Sequence, residues 1–500
     1  MNATFNALRN KGGRAILPLL ALAMAQAVQP AAAIAQDGAV VDLRGEAAPV
    51  ARGKPYAARN LPDRIILSPG ANPAVSAGVS WRTDLAQSET VAEIAELVPS
   101  PNFGERATQL NGQSVATTSE NGGARYHKVR FEDLKPDTAY AYRVRGAAGF
   151  SEWHQFRTAK QEAAPFRMIY MGDTQNSILD IGSLSWRRAL LQAGNPQLML
   201  HAGDLVASRD DLVHDDEWGE WTAAGGWALA SIPQLPAAGN HEYVDLILPD
   251  GTESRRLGDH WPLMFNLPNN GAADADKTTY FVDYQGVRFI VMDGTSALDL
   301  NTQKSQTEWL EARLAEAKGN WKIVLMHQPI YTCARPNDTE ALKAAWKPLF
   351  EKYGVDLVLQ GHDHCYSRLT SDTIRKSGEK AKRSSSTQGP VYMVSVAGSK
   401  MYGLNDRSDK QPDRVAENTS LFQIIDVSPE RLSLRAYLNT GVLYDGFDLT
   451  KTPAGNRLEE LPDNVPAVRR CTGPQQLVDQ PMPANRLGPD GLLCTAEVKD

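Results

Sequence analysis

Five short segments of the chain carry side chains that bind hard or borderline metal ions. Carboxylate and amide oxygens come first along the chain, and imidazoles follow. This mixture suits two metal ions held side by side. Two such ions activate water and clamp a phosphate group, so the set predicts the cleavage of phosphate esters. The segments are Gly172-Asp173-Thr174-Gln175, Gly203-Asp204-Leu205, Gly239-Asn240-His241-Glu242, Val324-Leu325-Met326-His327 and Gly361-His362-Asp363-His364.

Four of the five segments follow an apolar run that is typical of a buried strand. The predicted strands are 167–171, 198–202, 322–326 and 355–359. Ligands in layered α/β proteins lie at the carboxyl ends of strands, where these segments fall. Asp204 comes midway between the two groups of ligands, so we expect its carboxylate to bridge both ions.

Helical patterns alternate with these strands. A helix is predicted over 305–318, where Ser305 and Glu308 form a capping box, and another over 342–353. Further strands are predicted at 391–397, 421–427 and 432–437. The region 165–450 is therefore predicted to be an α/β domain.

The preceding region, 61–160, shows an all-β pattern. Strands are predicted at 77–82, around Trp81, at 127–131 and at 139–144, with a turn at 134–138. Short strands around a central tryptophan predict a β-sandwich.

The N-terminus has the features of a signal peptide, predicted over residues 1–35. Positive residues precede an apolar stretch from 15 to 28, and Ala33-Ile34-Ala35 forms a small-x-small cleavage site. We therefore expect export to the periplasm or the medium, with no membrane span in the mature chain. Residues 36–60 are predicted to be a leader, and 451–500 a Pro-rich C-terminal tail.

The net charge of −7 gives no support for a nucleic-acid partner. The four cysteines allow three disulfide pairings. Cys471 and Cys494 could link the tail, and Cys333 and Cys365 each follow a segment of candidate ligands. Cys365 as a metal ligand is the alternative for that residue.

At these residues the chain resembles the calcineurin-like metallophosphoesterase superfamily, and more closely its purple acid phosphatase branch. The ordered set GD…GD…GNHE…VxxH…GHxH carries the resemblance, together with a preceding domain similar to fibronectin type III. The resemblance covers about 60–445 and implies an αββα layered catalytic domain. It implies that Asp173, Asp204 and His364 bind one metal, and that Asp204, Asn240, His327 and His362 bind the other. It places His241 near the leaving group, as a general acid or a phosphate-orienting donor.

The chain departs from the family pattern at two positions. Ala207 stands where purple enzymes have a tyrosine ligand, so a coloured ferric centre is not expected. Gln175 stands where many other members have a histidine ligand. Its amide oxygen is either a weak ligand or only a neighbour of the site. The cofactors are expected to be two divalent ions, with Mn²⁺, Zn²⁺, Fe²⁺ and Mg²⁺ all compatible.

The sequence thus predicts an exported dinuclear phosphoesterase that hydrolyses small phosphate monoesters by attack of a metal-bound hydroxide. A phosphodiesterase or nucleotidase using the same site is the first alternative. A non-catalytic cell-surface binding protein on a decayed hydrolase scaffold is the second.

Overall fold

The computed structural model describes residues 54–370, 384–387 (backbone only), 389–408, 411–453, 455–461, 465–473 and 483–494. The predicted signal peptide, most of the predicted leader and parts of the predicted tail lie outside these residues. Within them, no helix has the length and the apolar character that crossing a bilayer requires.

Nine strands form a β-sandwich at the N-terminal end of the described chain. One sheet has the order β1-β2-β6-β5, and the other contains β4, β3, β7, β8 and β9. Trp81 is fully buried between the sheets with Val79, Phe131 and Tyr142, which confirms the predicted sandwich with its central tryptophan. The strands are β1 (Asp63–Pro69), β2 (Ala77–Thr83), β3 (Val91–Glu96), β4 (Thr108–Asn111), β5 (Gln113–Ser119), β6 (Gly122–Phe131), β7 (Ala139–Gly146), β8 (Gly149–Phe150) and β9 (His154–Arg157).

Two large mixed sheets follow. The first has the order β12-β11-β10-β23-β24-β25-β26-β20, and the second has the order β15-β16-β17-β18-β21-β19-β22. A separate hairpin pairs β13 with β14. Their strands are β10 (Phe166–Met171), β11 (Leu198–His201), β12 (Gln234–Pro236), β13 (Tyr243–Ile247), β14 (Glu253–Leu257), β15 (Tyr280–Tyr284), β16 (Val287–Val291), β17 (Trp321–Leu325), β18 (Leu357–Gln360), β19 (Tyr366–Thr370), β20 (Ser384–Thr387), β21 (Val391–Val394), β22 (Arg414–Ala416), β23 (Leu421–Val427), β24 (Arg431–Leu438), β25 (Leu443–Thr452) and β26 (Gly455–Glu460).

The inner faces of the two sheets pack on each other, and helices cover both outer faces. Tyr170 and Leu200 of the first sheet share one apolar cluster with Phe289 and Leu325 of the second. The helices are α1 (Ser183–Ala193), α2 (Asp216–Gly225), α3 (Trp227–Ser231), α4 (His260–Met264), α5 (Gly294–Asp299), α6 (Gln303–Ala315) and α7 (Glu340–Lys352). Residues of α1 and α2 pack against the first sheet, and residues of α6 and α7 pack against the second. The αββα layering implied by the resemblance is therefore present.

Two details differ from the sequence-based expectations. Helix α6 begins at Gln303 rather than at Ser305, and the Ser305 hydroxyl donates to the carbonyl of Thr302 instead of forming a capping box. The first sheet continues to Glu460, past the expected end of the domain at 450, because β25 and β26 pair with each other.

A buried group of ions joins the sandwich to the layered domain. Asp215, just before α2, contacts Arg64 of β1 at 2.5 Å and Arg82 of β2 at 3.1 Å. It also contacts His260 of α4 at 2.8 Å. A buried carboxylate requires such partners, because removing it from water without them is costly. The ion group fixes the sandwich on the side of the domain that carries α2 and α4.

Candidate metal centre

The candidate ligands follow parallel strands in both sheets, at the carboxyl ends. Strands β10, β11 and β12 are parallel neighbours, as are β17 and β18. Parallel strands end at the same edge of a sheet, so the loops after them meet there. Contacts between the sheets bring the two edges together: Gln360 N donates to the Tyr170 hydroxyl at 3.0 Å, and His362 N donates to the Asp173 carboxylate at 2.8 Å.

Four of the candidate residues have left-handed backbone conformations. Their φ angles are +47° at Asp173, +51° at Asp204, +72° at His362 and +48° at His364. This region costs a non-glycine residue about 1 kcal/mol or more, and such residues concentrate at functional sites. The sharp turns let each loop reverse direction directly after its strand and point its side chain at the sheet edge.

The glycines of the motifs are required because backbone and side chains approach one another closely. A Cβ on Gly239 would lie 2.2 Å from Asp204 Oδ1, and one on Gly361 would lie 2.3 Å from Asp173 Oδ2. Such distances are far below van der Waals contact. The GD, GNHE and GHxH motifs therefore include glycine for space.

Asp204, Asn240, His327 and His362 form one cluster around the Nε2 atom of His327. This nitrogen lies 3.0 Å from Asp204 Oδ2, 3.1 Å from Asn240 Oδ1 and 3.0 Å from His362 Nδ1. The other ring nitrogen of His327 lies 2.7 Å from the carbonyl of Ala202 and donates to it. In the neutral ring the Nε2 lone pair therefore faces other lone pairs, an arrangement that a shared cation stabilises.

Asp173, Asp204 and His364 form a second cluster, in which the three ligand atoms lie within 4.8 Å of one another. Nδ1 of His364 donates to the Lys400 carbonyl at 3.1 Å, which leaves Nε2 to face Asp173 Oδ1 at 3.8 Å. Asp204 belongs to both clusters. The arrangement has the form of two adjoining cation sites with one carboxylate in common.

The charges of this buried site are unbalanced. Burial raises the pKa of Asp173, and the neighbouring Asp204 carboxylate adds to the rise. Burial alone would lower the pKa of His327, but Asp204 outweighs it and raises this pKa to about 9. A proton on His327 thus supplies the positive charge that the carboxylates require. Oxygen and imidazole donors in a negatively charged, buried site fit a pair of divalent cations.

His241 lies at the edge of the two clusters without belonging to either. Its Nδ1 donates to the carbonyl of Ala207, so its Nε2 faces inward, 3.9 Å from Asp204 Oδ2. Burial lowers its pKa; Asp204 opposes this, while Lys400 and Arg209 add to it. His241 therefore presents one nitrogen to any molecule bound beside the clusters.

Glu242, the last residue of the GNHE motif, supports the loops of the site. The Glu242 carboxylate accepts from three backbone amides: Asp204 N at 2.9 Å, Leu205 N at 2.7 Å and Gly239 N at 2.6 Å. These contacts give Glu242 a supporting role in the site. They fix the loop of Asp204 to that of Asn240.

Asp363 and Arg335 support the histidine loop in the same way, and no sequence pattern indicated either role. Arg335 donates to Asp363 Oδ1 at 2.7 Å and to the His362 carbonyl at 2.8 Å. Asp363 also accepts from Ala334 N at 2.6 Å. Only the fold brings the loop after β17 against the loop after β18.

Two disulfides occur among the described residues. Cys333 is bonded to Cys365, which we name the site disulfide, and Cys471 to Cys494, which we name the tail disulfide. This selects one of the three possible pairings. The alternative that Cys365 binds metal as a thiolate is wrong, because its sulfur is bonded to Cys333.

Comparison with known proteins places this site in a family. Residues 62–158 match the family described as purple acid phosphatase, N-terminal domain, and residues 166–366 match the calcineurin-like phosphoesterases. An uncharacterized protein of Mycobacterium tuberculosis is 27% identical over 370 residues, which cover 65% of this chain and 67% of that protein. A phosphoenolpyruvate phosphatase of Allium cepa is 26% identical over 380 residues, covering 72% of this chain and 75% of that protein.

Two further relatives have purple acid phosphatase in their names. The Fe(3+)-Zn(2+) purple acid phosphatase 12 of Arabidopsis thaliana is 26% identical over 300 residues, covering 57% of this chain and 62% of that protein. The structure of a purple acid phosphatase from Lupinus luteus seeds superposes with a TM-score of 0.64 at 18% identity, over 79% of this chain and 75% of that one. The chain belongs to the calcineurin-like metallophosphoesterases, in their purple acid phosphatase-like branch. It is accordingly a phosphatase-type hydrolase.

Proposed function

We propose that the protein is an exported, dinuclear metal-dependent phosphoesterase that hydrolyses small phosphate monoesters. The observation that carries the proposal is the position of Asp204, whose carboxylate belongs to both clusters of ligand atoms. One ion would be held by Asp173, Asp204 and His364, and the other by Asp204, Asn240, His327 and His362. When bound, two such ions lower the pKa of a water molecule and neutralise the charge of the phosphate oxygens.

Two divalent ions suit this donor set better than the Fe³⁺–Zn²⁺ pair named for the Arabidopsis relative. A ferric ion is stabilised by anionic ligands such as a phenolate, and Ala207 provides none. The donors are hard oxygens and imidazoles, which Mn²⁺, Zn²⁺, Fe²⁺ and Mg²⁺ all accept.

Cationic side chains near the site favour monoesters over diesters. Lys400 lowers the pKa of both His241 and His364, and Arg209, which also pairs with Asp245 at 2.9 Å, lowers that of His241. A phosphate monoester carries close to two negative charges at neutral pH, whereas a diester carries one. The monoester therefore gains more from these cations.

His241 is the residue that we assign to the leaving group. Its inward nitrogen can give a proton to the departing oxygen, or orient the phosphate through a hydrogen bond. His241→Ala is expected to slow the hydrolysis of an alkyl phosphate by about 10²–10⁴-fold. It should slow 4-nitrophenyl phosphate far less, because that leaving group departs without a proton. Equal losses on both substrates would assign His241 to phosphate binding.

The principal test measures bound metal and hydrolysis on the same preparations. We expect two ions per chain, turnover of a phosphomonoester panel above that of a bis-aryl diester, and loss of activity in a chelator. Asp204→Asn should lose both ions and His362→Ala one, while Asp259→Asn, an exposed carboxylate, serves as the matched control. Faster diester turnover would favour the phosphodiesterase alternative. Bound metal without turnover on any phosphate ester would favour the binding protein.

Export is tested separately. N-terminal sequencing of protein recovered from the exported fraction should begin at Gln36, after the predicted cleavage site. A chain that keeps residues 1–35 would contradict this part of the proposal.

A further inference from the structure

Gln175 lies inside the cluster of Asp173, Asp204 and His364, and its amide is only half satisfied. The side chain is fully buried. Its Nε2 lies 3.0 Å from Asp204 Oδ2 and 3.0 Å from His364 Nε2. Its Oε1 is buried and has no hydrogen-bond partner. Buried amide oxygens in folded proteins almost always have a partner, and here no hydrogen bond to Oε1 holds the amide in this orientation.

The two neighbours of the Gln175 nitrogen are both electron-pair donors. Asp204 Oδ2 is a carboxylate oxygen, and Nε2 of His364 carries a lone pair because its Nδ1 donates to the Lys400 carbonyl. The amide NH₂ group therefore stands where a cation would receive both lone pairs. With a cation bound, the NH₂ group would lose both acceptors and face a positive charge.

A half-turn of the amide brings the oxygen to the cation and moves the NH₂ group to the position that Oε1 occupies now. Rotation about the Cγ–Cδ bond exchanges Oε1 with Nε2 and is energetically soft, because the two orientations are almost equivalent. The oxygen would then lie about as far from Asp204 and His364 as the nitrogen does now. Neighbouring ligands on an octahedral ion with bonds of about 2.1 Å are separated by about 3.0 Å. The observed separations of 3.0 Å match this spacing.

The backbone of Gln175 is held firmly in this place. Its N–H donates to the carbonyl of Asp204 at 3.1 Å. Gly398 packs so closely that a Cβ there would lie 2.5 Å from the Gln175 carbonyl oxygen. The side chain thus enters the cluster from a fixed position, as a ligand must.

We propose that Gln175 Oε1 binds the first metal ion together with Asp173, Asp204 and His364, and that this makes the first site selective for a divalent, oxygen-preferring ion such as Mn²⁺. The inference rests on the proposed two-metal function. Each ion then receives one neutral amide oxygen, from Gln175 at the first site and from Asn240 at the second. The neutral oxygen of Gln175 does not supply the negative charge that stabilises a ferric ion, and Ala207 stands where a phenolate ligand would supply it.

The test is a Mn²⁺ titration of the chelator-stripped full chain, followed by elemental analysis and by electron paramagnetic resonance. The wild-type chain should bind two Mn²⁺ ions and show the signal of a spin-coupled pair. Gln175→Ala and Gln175→Met, which has similar length but no hard donor, should weaken one ion at least tenfold and leave an isolated Mn²⁺ signal. Gln175→Glu, which keeps an oxygen donor, should retain the coupled pair.

Asn240→Ala is the matched control, because it removes the amide oxygen of the other site. Two Mn²⁺ ions bound with wild-type affinity in Gln175→Met would overturn the inference while leaving the two-metal function intact. Loss of the spin-coupled Mn²⁺ pair in Gln175→Glu would also overturn the inference. An oxygen donor at this position would then not be sufficient, and the amide would act by filling space in the site. A wild-type chain that binds fewer than two ions would overturn the proposed function and this inference together.

Discussion

Replacing Glu242 tests whether the loops that carry the candidate ligands are held by one buried carboxylate. Glu242 is 2% exposed and accepts from three amides, two through Oε2 (Asp204 N and Gly239 N) and one through Oε1 (Leu205 N). In Glu242→Ala these three N–H groups lose their acceptor. A buried group left unsatisfied costs about 1–3 kcal/mol. Because the three share one acceptor and relax together, we expect the free energy of unfolding to fall by about 3–5 kcal/mol.

Glu242→Gln should be intermediate. The amide oxygen of glutamine can occupy the Oε2 position and keep two of the three bonds. The NH₂ group then faces the N–H of Leu205, so that one contact becomes a repulsion between donors. We expect a loss of about 1–2 kcal/mol.

The assay combines urea unfolding in the presence of a chelator with metal binding measured by competition against a chromophoric chelator. The order of stability should be wild type, Glu242→Gln, Glu242→Ala, and metal affinity should fall about 10–100-fold in the alanine variant. Glu308→Gln, at an exposed position of α6, is the control and should change neither quantity. Wild-type stability and metal affinity in Glu242→Ala would refute the reasoning, because the loop of Asp204 would then be held by other contacts.

Three further predictions follow from other parts of the molecule. Burial lowers the pKa of His201 to about 4. Its stabilising contribution is therefore full above the unfolded pKa of about 6.5 and is lost as pH falls towards 4. From pH 7 to pH 5 we expect this contribution to the free energy of unfolding to fall by about 2 kcal/mol. Urea unfolding in the presence of a chelator should show that His201→Gln lacks this part of the pH dependence. The same pH dependence in His201→Gln as in the wild type would contradict the prediction. Replacing both cysteines by alanine should cost about 3–4 kcal/mol for either disulfide, given separations of 32 and 23 residues. Calorimetry with metal titration should show weaker metal binding only when the site disulfide is removed. Equal weakening on removal of either disulfide would count against a role of the site disulfide in holding the metal site. Iron-loaded wild-type protein should lack a phenolate-to-iron absorption band, whereas Ala207→Tyr should gain one and Ala207→Phe should not; a visible band in the wild type would exclude the divalent assignment.

The layered fold was predictable because its strands are apolar on both faces. Met168 and Tyr170 of β10 face the opposite sheet, while Ile169 and Met171 face the helices. Such continuous runs indicate strands buried on both sides, and helices between them indicate parallel pairing. The start of α6 was not predictable to the residue, since the end of a helix depends on contacts from neighbouring segments.

Sequence alone determined which residue types are available for metal chemistry, and in what order, because motifs such as GD and GHxH keep their glycines and donors next to each other in the chain. It could not determine the roles of Asp363, Arg335 and Gln175, which depend on atoms supplied by distant segments. Gln175 contacts His364, 189 residues further along, and that pair exists only because β10 and β18 end at adjoining edges of two packed sheets. The chemical type of a side chain is given by its own residue. Its hydrogen bonds, its burial and the charges around it depend on the segments that the fold brings next to it. The tertiary structure therefore decided which donors converge, which of them lack a partner, and how the site is held.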